Sequence, residues 1–86
     1  MRPLERIDEI SDLIKEIWNE NPDMRYMQLL YTLQSSVSQK NMDVGKVEER
    51  VDKTYSRIGF DLFNIEDKEF KIFLENYLFE QRERNA

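Results

Sequence analysis

Five carboxylates, Glu5, Asp8, Glu9, Asp12 and Glu16, recur at intervals of one, three and four residues near the start of the chain. On a helix that spacing gathers them on one side. Grouped carboxylates can hold a divalent cation, work as an acid–base pair, or present a row of negative charge to a basic partner. The first use needs helpers, because helical carboxylate metal sites combine Glu with a Glu-x-x-His motif on facing helices. The 86 residues contain no histidine and no cysteine. The second use needs a cleft that fits a substrate between two carboxyls, and a domain this small has little room for one. The same two missing residue types remove the usual general base, thiolate nucleophiles, disulfides and Cys-based zinc sites. The chain is therefore expected to be no enzyme, with no catalytic, metal-binding or cofactor-binding residues and no cofactor.

Recognition by a surface remains. The acidic row could mimic a nucleic-acid backbone and regulate a DNA-binding protein; the plainer reading is a solvated face that keeps the chain soluble. Glu5/Glu9, Asp8/Asp12 and Asp12/Glu16 are like charges four apart, each costing about 0.2–0.5 kcal/mol in an isolated helix. A net charge of −5 opposes direct binding of nucleic acid. Two further features are candidates for a partner contact. Ile72 and Phe79, seven residues apart, fall on the side of the last predicted helix opposite its apolar stripe, where a simple bundle has no core to receive them. Arg25 and Gln28, with Thr32, share the polar side of the second predicted helix, where they could read a partner or serve nearby backbone and acids.

The elements that must carry these residues follow from periodicity. At this length the chain is one domain, residues 1–86, with 40% apolar and 36% charged residues, an ordinary globular composition. Leu4, Ile7, Ile10, Leu13, Ile14, Ile17 and Trp18 mark a helix over about 3–19. Asn21-Pro22-Asp23 breaks it and should start the next, with Asn21 as cap and Pro22 in the first helical position. That second helix, about 22–36, carries a broad band of Tyr26, Met27, Leu29, Leu30, Tyr31, Leu33 and Val37 and should be the most buried. Residues 38–45 lose the pattern and are expected to form a flexible loop. Val44, Val47, Val51, Tyr55 and Ile58 give a narrow stripe for a helix over 46–57, stopped by Gly59 in the left-handed conformation. Residues 60–65 form an extended connector that plugs Phe60, Leu62 or Phe63 into the core. The last helix, about 66–82, starts with Glu66 as its cap and packs Phe70, Phe73, Leu74, Tyr77 and Leu78, and 82–86 should fray. The expected fold class is all-α, a small bundle of three to four helices.

Arg6-Ile7-x-Glu9-Ile10-x-x-Leu13-Ile14-x-x-x-Trp18-x-x-x-Pro22-Asp23-Met24-x-x-x-Gln28-Leu29-Leu30 resembles the N-terminal signature of a group of small helical bacterial and bacteriophage proteins of unknown function. Asp61-x-Phe63-x-Ile65-Glu66-Asp67-x-Glu69-Phe70 resembles their second motif. The matches cover about half the chain, and residues 36–58 have no counterpart. The resemblance implies a short helical cytoplasmic or phage-encoded protein and assigns no activity and no site residue. No run approaches the roughly 18 apolar residues of a membrane span, and the first residues turn acidic where a signal peptide would be apolar. The chain is thus expected in the cytoplasm, as a monomer or weak homodimer through the last helix. Its expected role is a phage- or prophage-encoded modulator or inhibitor of a host protein.

Overall fold

The computed structural model describes residues 2–50, 52–54 and 56–85. Their order is α1 (Glu5–Glu20), α2 (Tyr26–Lys40), β1 (Lys46–Arg50), β2 (Ser56–Phe60) and α3 (Asp67–Asn85). The fold is mixed, three helices and a two-stranded antiparallel sheet, which corrects the all-α expectation. The helix expected over 46–57 is instead the hairpin. Ser56-Arg57-Ile58-Gly59-Phe60 sets Ile58 and Phe60 on one face with a period of two, whereas Lys46–Arg50 carries a single apolar residue, Val47, and pairs with that segment across the hairpin. Glu49 and Arg57, eight apart, meet across the strands at 2.9 Å. Asp52 turns the chain by accepting from the Thr54 N–H at 2.7 Å and the Thr54 hydroxyl at 3.0 Å. Val51 and Tyr55, two of the five residues of the expected stripe, lie outside the described residues. Among the described residues no helix is long and apolar enough to cross a membrane.

α1 and α3 lie side by side and run parallel, making the main helix–helix contact. Charges along their seam change sign partway. At the N-terminal ends the α1 side supplies cations: Arg2, just before α1, meets Glu66, just before α3, at 3.0 Å, and Arg6 meets Asp67. Farther on α1 supplies acids: Glu9 meets Lys71, and Arg82 meets Glu20 at 3.4 Å and Glu16 at 3.9 Å. An antiparallel pair would set Arg2 and Arg6 beside Arg82 and Arg84, and Glu16 and Glu20 beside Glu66 and Asp67. Each exposed pair stabilises by only about 0.2–1 kcal/mol, so the pattern selects direction more than it adds strength. α1 has no basic residue in its own last turn. Arg82 provides that cation from the neighbouring helix.

Strength comes from Ile17, Leu29, Leu33, Val37, Phe73, Leu74 and Leu78, which form the buried core between the three helices. Each side chain of this kind contributes about 1.5–3 kcal/mol when buried. Gln81 continues the core stripe of α3 at 8% exposure, and its Oε1 has no hydrogen-bond partner among the described residues. Trp18 closes the α1–α2 turn: its Nε1 donates to the Met24 carbonyl at 2.7 Å, and its ring lies 5.1 Å from that of Tyr26.

α2 begins and ends four residues later than the periodicity predicts. Asn21, expected to cap it, ends α1 instead, its Nδ2 donating to the Ile17 carbonyl at 3.0 Å. Asn41 ends α2 the same way, through Val37 at 2.7 Å. Ser38, placed in the flexible loop by sequence, is helical and fully buried, its hydroxyl donating to the Val44 carbonyl at 2.6 Å. α2 is the most buried helix for its length, as its broad apolar band predicts, with Leu29, Leu33, Val37 and Ser38 buried, although Tyr26, Met27 and Tyr31 of that band stay exposed. At the other end of the chain α3 continues through Asn85, where fraying was expected, and Asn85 Nδ2 donates to Glu20 at 3.2 Å.

The hairpin packs on α2 through β2. The Asp61 N–H donates to the Gly45 carbonyl at 2.7 Å, extending the ladder by one pair. Antiparallel alternation then turns the carbonyl of Ile58 to the outer edge of β2. The Tyr31 hydroxyl donates to that carbonyl at 3.1 Å, and its ring meets Phe60 edge-on at 5.5 Å. Gly59, assigned to a helix cap by sequence, is an open strand position opposite Val47. The left-handed glycine is Gly45, at φ +72°, where a Cβ would lie 2.3 Å from the Asp61 carbonyl oxygen.

Gly45→Ala is expected to destabilise the chain by at least about 2 kcal/mol, from left-handed strain and overpacking. Gly59→Ala, with nothing within 4 Å of the added Cβ, should change stability by no more than about 0.5 kcal/mol. Gln81→Leu should stabilise by about 1 kcal/mol by removing a buried carbonyl without a partner. Urea midpoints of the three variants against the parent check all three expectations.

Candidate protein-interaction surface

The acidic row does not survive folding as one face. Glu9 and Glu16 turn toward α3 and enter the seam pairs, joined by Glu20. Glu5, Asp8 and Asp12 remain exposed and make no ion pair among the described residues. The split follows from helix geometry, since Glu9 and Glu16 are seven apart and flank the Ile10–Leu13–Ile17 stripe on the side where α3 lies. Among the described residues no three acidic side chains gather into a possible metal site.

Lys71 is the most tightly held cation of the seam. Its hydrogen bond to Glu9 raises its pKa above the usual lysine value, partial burial opposes the rise, and the charges of Glu9 and Glu75 add to it. Arg57 acts in the opposite sense on Glu49, its hydrogen bond and charge holding that carboxyl below the usual range.

The clefts are shallow. One of about 280 Å³ lies where the N-termini of α1 and α3 come together, with Arg2, Arg6, Lys68 and Lys71 among Glu9, Glu66 and Asp67. Its acids already occupy the positive ends of the helix dipoles. A second, of about 300 Å³, runs between α2 and the connector and is lined by Gln34, Val37, Leu62, Ile65, Phe63 and Phe70 among others. Among the described residues neither places a nucleophile beside a base.

Apolar side chains left in water are the more distinctive feature. Ile72 and Phe79 are 51% and 65% exposed on the face of α3 turned away from α1 and α2. Arg25 and Gln28 lie at the other candidate region, the start of α2, and both are exposed. Gln28 is partly a structural residue: its Oε1 accepts the Arg25 N–H at 3.4 Å and so supplies one half of a capping box, while its carbonyl accepts from Thr32. The Arg25 side chain makes no ion pair among the described residues, with Asp61 or any other acid. Ile72 and Phe79 are thus one surface and Arg25 and Gln28 another.

Two exposed side chains escaped the sequence reading. Met27, 73% exposed beside Arg25, was counted in the apolar band of α2. Phe63, 92% exposed, was one of three candidates for the core plug; Leu62 packs against the core instead, and Phe60 is half-buried against Tyr31. The signal for Phe63 was the preceding Asp61, whose Oδ1 accepts the Phe63 N–H at 3.3 Å and turns the chain there.

Comparison of the chain with protein-family models, curated proteins and solved structures gives no match.

The Lys71–Glu9 pair predicts a pH dependence. A raised folded-state pKa means that the contribution is complete below the unfolded value, near 10.5, and is lost as pH rises through the folded value. The stability difference between the parent and Lys71→Met should therefore be constant across neutral pH and shrink above pH 10.5, as followed by thermal melts.

Proposed function

We propose that this chain is a non-enzymatic protein-interaction protein, phage- or prophage-encoded, that binds and modulates a host protein in the cytoplasm. The observation that carries the reading is the exposure of Ile72 and Phe79 on one uncovered face of α3. Leaving an Ile and a Phe in water forgoes about 1.5–3 kcal/mol each, which a docked partner would recover. The resemblance of the Trp18–Leu30 segment to small phage and bacterial proteins supports the setting. The exposed start of α2, with Arg25, Met27 and Gln28, offers a second contact region of mixed polarity.

A nucleic-acid mimic working through the acids of α1 is a weaker reading, because Glu9 and Glu16 are engaged by Lys71 and Arg82. Glu5, Asp8 and Asp12 alone make a short row on a chain of net charge −5.

Tagged full-length chain incubated with host lysate is expected to retain a specific host protein, identified by mass spectrometry. Ile72→Asp combined with Phe79→Asp should lower its recovery at least about tenfold without loss of helical circular dichroism. Recovery at background level, or recovery untouched by the double substitution, refutes the reading.

A further inference from the structure

Lys68, Ile72, Phe79 and Glu83 follow one another along α3 at intervals of four, seven and four residues. At 100° per residue they fall within a band of about 60°. The band faces away from the molecule: all four side chains are exposed, while Phe73, Leu74 and Leu78 on the opposite side of the helix are buried. Its spacing reads the same from either end, whereas its charge reverses from Lys68 to Glu83.

A palindromic spacing with opposite charges at its ends complements itself when turned end for end. A two-fold axis between Glu75 and Asn76 brings a second α3 alongside in the antiparallel direction. Lys68 then faces Glu83 of the second copy, Ile72 lies against its Phe79, and each contact occurs twice. The parallel alternative sets Lys68 against Lys68 and Glu83 against Glu83. Among the described residues α1 and α2 both lie on the far side of α3 and leave this face open. Glu75, the acid nearest the axis, has Lys71 of its own helix as a compensating charge.

We propose that the occupant of this α3 face is a second copy of the chain, in an antiparallel α3–α3 pair held by Ile72–Phe79 contacts and flanked by Lys68–Glu83 ion pairs. The proposal rests on the reading of this face as a docking surface, and a host protein that docks on Ile72 and Phe79 takes the place of the second copy there.

Sedimentation equilibrium of the full chain from micromolar to millimolar concentration tests it. The mass should move from monomer toward dimer. Lys68→Glu alone and Glu83→Lys alone should each weaken association about tenfold, since each turns two attractive contacts into two repulsive ones. Lys68→Glu combined with Glu83→Lys should restore it to within about threefold. Both charged positions are on the surface, so circular dichroism of all three variants should match the parent. A monomer at every concentration overturns the proposal, and so does a dimer indifferent to the charge exchanges. A monomer that still captures a host protein through Ile72 and Phe79 refutes the pairing alone. A dimer with the expected exchange pattern that captures no host protein supports the pairing and counts against the host-binding reading.

Discussion

Everything else in this fold is arranged around the parallel pairing of α1 with α3. Helices joined directly by a short turn lie antiparallel, so a parallel pair needs a segment between them that carries the chain back. Here that segment is α2 followed by the hairpin. The reversal of sign along the seam, cations of α1 over acids of α3 at one end and the opposite farther on, makes the parallel register the one in which charges match. Individually the pairs are weak and screened. Their joint effect is to exclude a competing packing of the same apolar stripes, which Ile17 and Leu74 alone would not do.

The hairpin shows a different balance. Two strands alone are marginal in water, and nearly all the strand residues are exposed. Three local devices hold it: the close approach of Asp61 to Gly45, the Asp52 turn, and the donation of the Tyr31 hydroxyl to the outward carbonyl of Ile58. The last of these also covers part of the outer edge of β2. The outer edge of β1 carries Lys46, Glu48 and Arg50, charged residues of the kind that discourage pairing with stray strands.

The sequence disclosed α1 and the start of α3, because long amphipathic repeats and a Glu–Asp start leave little choice. It misled over 46–57, where a stripe running from Val44 to Ile58 matched a helix while the only alternation, Ile58 with Phe60, began at its far end. Asn21-Pro22-Asp23 announced a helix start, yet Asn21 was needed to end α1 and the chain used Arg25 and Gln28 instead. The acids of α1 were legible as a group, but their division between seam and solvent depended on where α3 would lie, and that information is some sixty residues away. Ile72 and Phe79 were legible as residues without a core. Phe63 was not, since its outward turn depends on one Asp61 side chain.

The seam between α1 and α3 also has a consequence for the order in which the molecule can assemble. Arg2 finds its partner at Glu66, and Glu20 finds its own at Arg82 and Asn85. During synthesis the first helix emerges many residues ahead of any of these groups, and the pairs cannot close until α3 has left the ribosome. Until then the apolar stripe of α1 has only α2 to lie against, so the nascent chain passes through a two-helix stage whose missing third wall is α3, still to be translated.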